Sequence, residues 1–128
     1  MILLDTCTLL WLAADQTKLS ARAKELIGAN AGELLVSAIT GFEIALKHKK
    51  GKLTLPMKPV RWIESALDFH GVEEIPVSWR MAARSTELPL PHADPCDRII
   101  LATAEAHDLT VLTPDPLMRA WKGVRVEW

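Results

Sequence analysis

Residues 92–106, HADPCDRIILATAEA, constrain the fold most, because a loop with two aspartates three positions apart runs there directly into an apolar helix. With Asp94 as the cap and Pro95 at the first helical position, Asp97 falls in the first turn and both carboxylates face one helix mouth. Two further acids follow strand-like apolar runs: Asp5 closes MILLD, and Asp115 comes after LTVLT. Carboxylates gathered without a cation repel, and some take up protons. The pattern predicts loops that meet around a divalent metal.

The rest of the chain supplies the frame. Residues 1–5 read as a buried strand, 6–14 as a helix capped by Asp5 or Thr6, 21–30 as a second helix behind Ser20, and 33–37 as a second strand. Residues 40–50 form a third helix, with Phe42, Ala45 and Leu46 at helical spacing and Gly51 as its C-terminal cap. A connection at 52–58 leads to a fourth helix whose apolar face is Val60, Ile63, Ala66 and Leu67 and which Gly71 closes. Then come a weak strand at 72–76, a helix at 78–87, a proline-bearing loop at 88–92, a helix at 95–107 and a strand at 109–113. A short helix through Trp121 and a last strand at 124–128 complete the chain. Alternation of strand and helix with short joins predicts one α/β domain over residues 1–128. Its expected architecture is a three-layer α/β/α sandwich around a central, mainly parallel sheet of four to five strands.

Composition narrows the chemistry. A net charge of −1 excludes a bulk electrostatic grip on nucleic acid, so binding of that kind needs a local patch or a metal. The basic run Lys47, His48, Lys49, Lys50, Lys52 is either a solvated helix end or a phosphate-contacting edge, with Arg98 adding a charge beside Asp97. Cys7 and Cys96 lack a CxxC partner and read as small core residues of a reducing compartment rather than thiolate ligands. The N-terminus has no basic leader and meets Asp5 at once, so a cytoplasmic protein without a membrane span is expected.

In an open α/β sheet, ligands bind beyond the carboxyl ends of the strands where strand order reverses. Asp5, Asp94, Asp97 and Asp115 fall on such a rim, and Glu43 can join them from the first turn of the third helix. Oxygen donors without a His or Cys set suit Mg²⁺ or Mn²⁺, and such an ion serves phosphodiester hydrolysis. Phosphoryl transfer from a nucleotide fits less well, since no GxxxxGK[ST] loop is present, and DTCT at 5–8 lacks the second aspartate of a DxDxT nucleophile site. Each acid also has a plainer reading. Asp5 and Asp94 are ordinary caps, Thr40 and Glu43 a capping box, Asp97 a dipole complement, and Asp115 a turn residue between prolines. His92 and His107 read as loop and helix-end residues, and Trp11, Trp62 and Trp79 as packing residues.

Four segments carry a resemblance: LLDTCTLLW at 3–11, SAITGFEIALKHKKGKLTL at 37–55, LPLPHADPCDRIILATA at 88–104, and VLTPD at 111–115. In this order they resemble the PIN-domain ribonucleases, and among them the VapC toxins of bacterial toxin-antitoxin pairs. The resemblance implies a PIN-like fold and an acidic set of Asp5, Glu43, Asp97 and Asp115 that binds Mg²⁺ or Mn²⁺, with Asp94 as an additional acid and Thr6 and Thr113 as neighbouring hydroxyls. It further implies endonucleolytic RNA cleavage, with Lys47, Lys50 and Arg98 as candidate RNA contacts, a small antitoxin partner that obstructs the site, and a homodimer. A PIN fold kept only for binding RNA or protein is the competing reading. Two positions depart from the pattern: Gly41-Phe42 stands where a tryptophan commonly precedes the glutamate, and Cys7 and Cys96 replace other residues.

Overall fold

The short apolar runs become strands in a computed structural model that describes residues 1–128: β1 (Ile2–Leu4), β2 (Leu34–Ser37), β3 (Val72–Ile75), β4 (Thr110–Leu112) and β5 (Val126–Glu127). All four pairings are parallel, in the order β3-β2-β1-β4-β5. Parallel neighbours need crossover connections, and helices provide them. These are α1 (Thr6–Ala14), α2 (Ala21–Ala29), α3 (Ile39–Lys49), α4 (Pro59–His70), α5 (Trp79–Ser85), α6 (Pro95–His107) and α7 (Pro116–Ala120). No helix is long and apolar enough to cross a membrane.

Alternation along the strands divides the core in two. Ile2, Leu4, Leu34, Val36 and Leu112 face α1 to α4 and pack with Leu9, Ile44 and Trp62. Leu3, Leu35 and Val111 face the other way and pack with Ile100, Leu101 and Met118. This is the expected three-layer sandwich, in which the central strands β1 and β2 are buried at every position while the edge strand β3 exposes Glu73 and Glu74. From β1 the chain adds β2 and β3 on one side and returns to place β4 and β5 on the other, so the rim between β1 and β4 is where strand order reverses.

Several local expectations fail for identifiable reasons. The Thr40–Glu43 capping box does not form. The helix already starts at Ile39, whose N–H is taken by Ser37 Oγ at 3.2 Å, and Thr40 turns inward to bond Thr6 Oγ1 at 3.0 Å. Val60, Phe42 and Trp79 are 76%, 56% and 72% exposed, because helical periodicity sets the phase of an apolar stripe without guaranteeing that a neighbour covers its edge. Strand β5 is shorter than its apolar segment, pairing with β4 along one edge only.

Arg98 is also not free for phosphate. Its guanidinium gathers one backbone carbonyl at the end of α5 and three of the loop before α6: Nε donates to Ser85 O at 2.8 Å, Nη2 to Leu88 O at 2.8 Å, and Nη1 to Leu90 O and His92 O at 3.0 and 2.9 Å. The prolines at 89 and 91 keep this loop from regular structure, so its carbonyls need an external donor. Arg98→Ala is expected to lower stability by about 2–4 kcal/mol in urea unfolding, since several carbonyls lose a charged donor at once. A loss below about 0.5 kcal/mol would show that the clamp is dispensable.

Candidate metal centre

The ends of β1 and β4 and the start of α6 deliver their acids to one place. Asp5 follows β1 and caps α1, with Oδ1 accepting the Thr8 N–H at 2.8 Å. Asp94 caps α6, with Oδ1 accepting the N–H groups of Cys96 at 2.8 Å and Asp97 at 3.1 Å. Asp115 follows β4 and caps α7, with Oδ1 accepting the Leu117 N–H at 2.8 Å. A cap consumes one carboxylate oxygen, so the plain and the functional readings of these residues are compatible. Together with Glu43 and Asp97 they line a cleft of about 250 Å³, which Thr6, Cys7 and Lys47 complete.

Two overlapping groups define its centre. The ligand atoms of Glu43, Asp94 and Asp97 lie within 4.8 Å of one another, as do those of His92, Asp97 and Asp115, and Asp97 belongs to both groups. Glu43 is only 8% exposed, and its Oε2 meets Lys47 Nζ at 2.9 Å while Oε1 has no hydrogen-bond partner. A buried carboxylate oxygen without a donor is costly, and a cation in the cleft would answer it. The donor set is oxygen-rich, and in the metal-free protein burial pushes the thiols of both Cys7 and Cys96 up to about 11. The residues present therefore fit a hard divalent ion.

Burial is the largest influence on Asp5 and Asp97. It raises Asp5 above the usual carboxylate range, against bonds from Thr113 and Thr8 that lower it. Thr113 links two acids, donating from Oγ1 to Asp5 Oδ2 at 2.5 Å and accepting the Asp115 N–H at 3.1 Å. Thr6, expected beside an acid, lines the cleft but spends its hydroxyl on Thr40. For Lys47, burial is the largest single influence and would lower the ammonium, yet the bond and charge of Glu43 together with the charges of Asp94 and Asp97 outweigh it and hold it above its ordinary value. Lys47 is therefore a charged member of the acid cleft, whereas Lys50 lies outside it in an adjoining groove.

The sequence reading missed His92. It is 8% exposed, and its Nε2 lies 2.8 Å from Asp97 Oδ2 and 3.2 Å from Asp115 Oδ2. Facing two carboxylates, which only accept, Nε2 carries the proton and donates. One ring thus holds acids from two different elements in fixed relation. The only prior signal is that His92 sits in a loop stiffened by two prolines, and no spacing rule converts that into a contact with Asp115.

The parallel sheet with this strand order and the carboxylate cleft at its reversal point make this an open α/β domain with an acidic site on its rim. The family model for the PIN domain matches residues 2–122, and the chain belongs to that family. Over 125 residues it is 30% identical to Ribonuclease VapC22 of Mycobacterium tuberculosis (strain ATCC 25618 / H37Rv), covering 97% of this chain and 94% of that one. Among solved structures it is similar to a toxin-antitoxin complex from Klebsiella pneumoniae, with a TM-score of 0.63, 25% identity, and 97% and 95% of the two chains covered. DNA-bound VapBC from Salmonella typhimurium matches with a TM-score of 0.71 over 98% and 96% of the chains, at 19% identity, and shares the fold.

Two outcomes follow from this geometry. Burial, then the neighbouring charge of Asp94, hold Asp97 up to about 6 from the ordinary 3.8, although the His92 bond lowers it. A carboxyl raised on folding favours the folded state fully below about pH 3.8, and that contribution is lost as pH rises through about 6. In metal-free protein at pH 7, Asp97→Asn is therefore expected to raise the melting temperature by a few degrees, with a much smaller gain at pH 4.5; an equal effect at both would refute the electrostatic origin. His92→Ala is expected to weaken Mn²⁺ binding about 10- to 100-fold, as loss of a ligand-orienting partner does. Calorimetric titration with Mn²⁺ measures it, and unchanged affinity would show that the two acids hold their places alone.

Proposed function

We propose that this chain is a metal-dependent endoribonuclease, the toxin of a toxin-antitoxin pair, which hydrolyses RNA phosphodiester bonds with water. The observation that carries the reading is the cleft itself: five carboxylates at the sheet's reversal point, one of them with a buried and unpartnered oxygen. Similarity over nearly the whole chain to a VapC ribonuclease, and to a solved toxin-antitoxin complex, supports both the RNA substrate and a small antitoxin partner.

In this reading Asp5, Glu43, Asp97 and Asp115 hold the ion, with Asp94 an additional acid whose ligand atom lies within 4.8 Å of those of Glu43 and Asp97. Oxygen donors favour Mg²⁺ or Mn²⁺. When bound, such an ion lowers the pKa of a water and neutralises charge gathering on the phosphate. The chain's own residues do the rest. Thr113 fixes one oxygen of Asp5, and His92 fixes one oxygen of Asp97 while standing against Asp115. Lys47, charged and about half exposed at the edge of the cleft, would offer its ammonium to a phosphate oxygen.

Purified protein free of antitoxin is expected to cut total RNA into discrete fragments with Mn²⁺ or Mg²⁺ and not with EDTA. Asp97→Asn should slow cutting by more than about 100-fold, since losing a ligand costs more than the 10- to 100-fold typical of its supporting partners. RNA left intact at every Mn²⁺ concentration, with no growth arrest on expression, would overturn the reading in favour of a fold kept for binding.

A further inference from the structure

Helix α3 brings two parallel rows of side chains to the metal centre. Glu43 and Lys47, one turn apart, reach the acid cleft. Phe42, Leu46 and Lys50, each four residues on, run beside them along a second groove of about 240 Å³, which Lys52 and the first turn of α6 also line. Glu43, Lys47 and Asp94 line both spaces, so groove and cleft are continuous. From Phe42 to Lys50 the helix advances about 12 Å.

Three properties of this groove point to one ligand. Phe42 presents an aromatic ring that is 56% exposed, directly beside a proposed metal ligand. Lys50 and Lys52 are exposed and make no ion pair, unlike Lys47. They stand together because Gly51, at φ +71, turns the chain back at the end of α3: its N–H donates to His48 O at 3.1 Å, and the Lys52 N–H to Lys47 O at 2.9 Å. An aromatic face with neighbouring uncommitted cations is what single-stranded nucleic acid uses, a surface for the base and charges for the backbone. The acid cleft repels phosphates on both sides of the one being cut, so an anchor beyond it is required, and a net charge of −1 provides none in bulk.

Resting on the nuclease reading, we infer that this groove is a nucleotide subsite in which Phe42 stacks the base next to the scissile phosphate while Lys50 and Lys52 hold the following phosphates. A base must leave its partner strand to stack there, so the groove selects single-stranded RNA or unpaired loops.

The test uses the full chain in EDTA with a fluorescein-labelled random-sequence single-stranded 12-mer, and an RNA duplex of the same length, in anisotropy titrations over a salt series. Phe42→Ala is expected to weaken single-strand binding about 10-fold or more and Phe42→Trp to restore it, with duplex binding weaker and indifferent to both. The double variant Lys50→Ala/Lys52→Ala should reduce the slope of log affinity against log salt by about 1.4, two single-strand phosphate contacts. Rescue by Phe42→Leu as full as by Phe42→Trp, or Phe42→Ala binding as wild type does, would overturn the subsite. So would a change in sedimentation with RNA affinity intact, which would reassign Phe42 to a protein contact. Mn²⁺-dependent cleavage of the same 12-mer separates the two readings. Cleavage with Phe42 indifferent removes the subsite alone, and binding through Phe42 without cleavage at any Mn²⁺ concentration removes the nuclease and keeps the subsite.

Discussion

Everything at the working edge of this fold answers one electrostatic constraint: five carboxylates share a cleft of about 250 Å³. Left alone they would repel and protonate. The protein meets this mainly with oriented neutral donors. Helix starts hold one oxygen of Asp5, Asp94 and Asp115 through their N–H groups, Thr113 holds the second oxygen of Asp5, and His92 donates its N–H to Asp97 while lying 3.2 Å from Asp115 Oδ2. Only Lys47 brings a full positive charge. The donors orient the acids without neutralising them, which leaves the cleft short of positive charge and suited to a divalent ion. The parallel order β3-β2-β1-β4-β5 is the means by which acids distant in sequence come to one rim.

Much of this was legible in the sequence because it depends on local rules. Apolar runs closed by an acid gave β1 and the loop after β4, and an aspartate before a proline gave the start of α6. Cap or ligand looked like a choice, yet a carboxylate has two oxygens and the fold uses both. What escaped the reading is what only tertiary contact decides. Arg98 seemed an exposed charge beside Asp97, but the irregular loop before α6 needed its carbonyls satisfied and took the guanidinium. Thr40 and Glu43 had the spacing of a capping box, but the helix begins earlier, at Ile39, Thr6 takes the Thr40 hydroxyl, and Glu43 turns inward to the cleft. Trp79 and Phe42 lie on apolar helical stripes whose edges nothing covers.

The solved relatives show how little sequence the arrangement demands. At 19% identity the match to the Salmonella typhimurium complex still covers almost the whole of both chains. Buried strand positions tolerate exchange among apolar side chains of similar volume, so such identities are compatible with one architecture.

Asp97 and Arg98 are neighbours on one turn of α6, yet their side chains diverge. Arg98 holds the carbonyl of His92, and the ring of that same His92 returns to Asp97. Backbone, guanidinium, loop and imidazole thus close a short mechanical circuit with the acid as one of its links. In a closed circuit no member can swing independently, so the orientation of Asp97 is set when the chain folds. An arriving cation meets a finished socket and spends little of its binding free energy on arranging it.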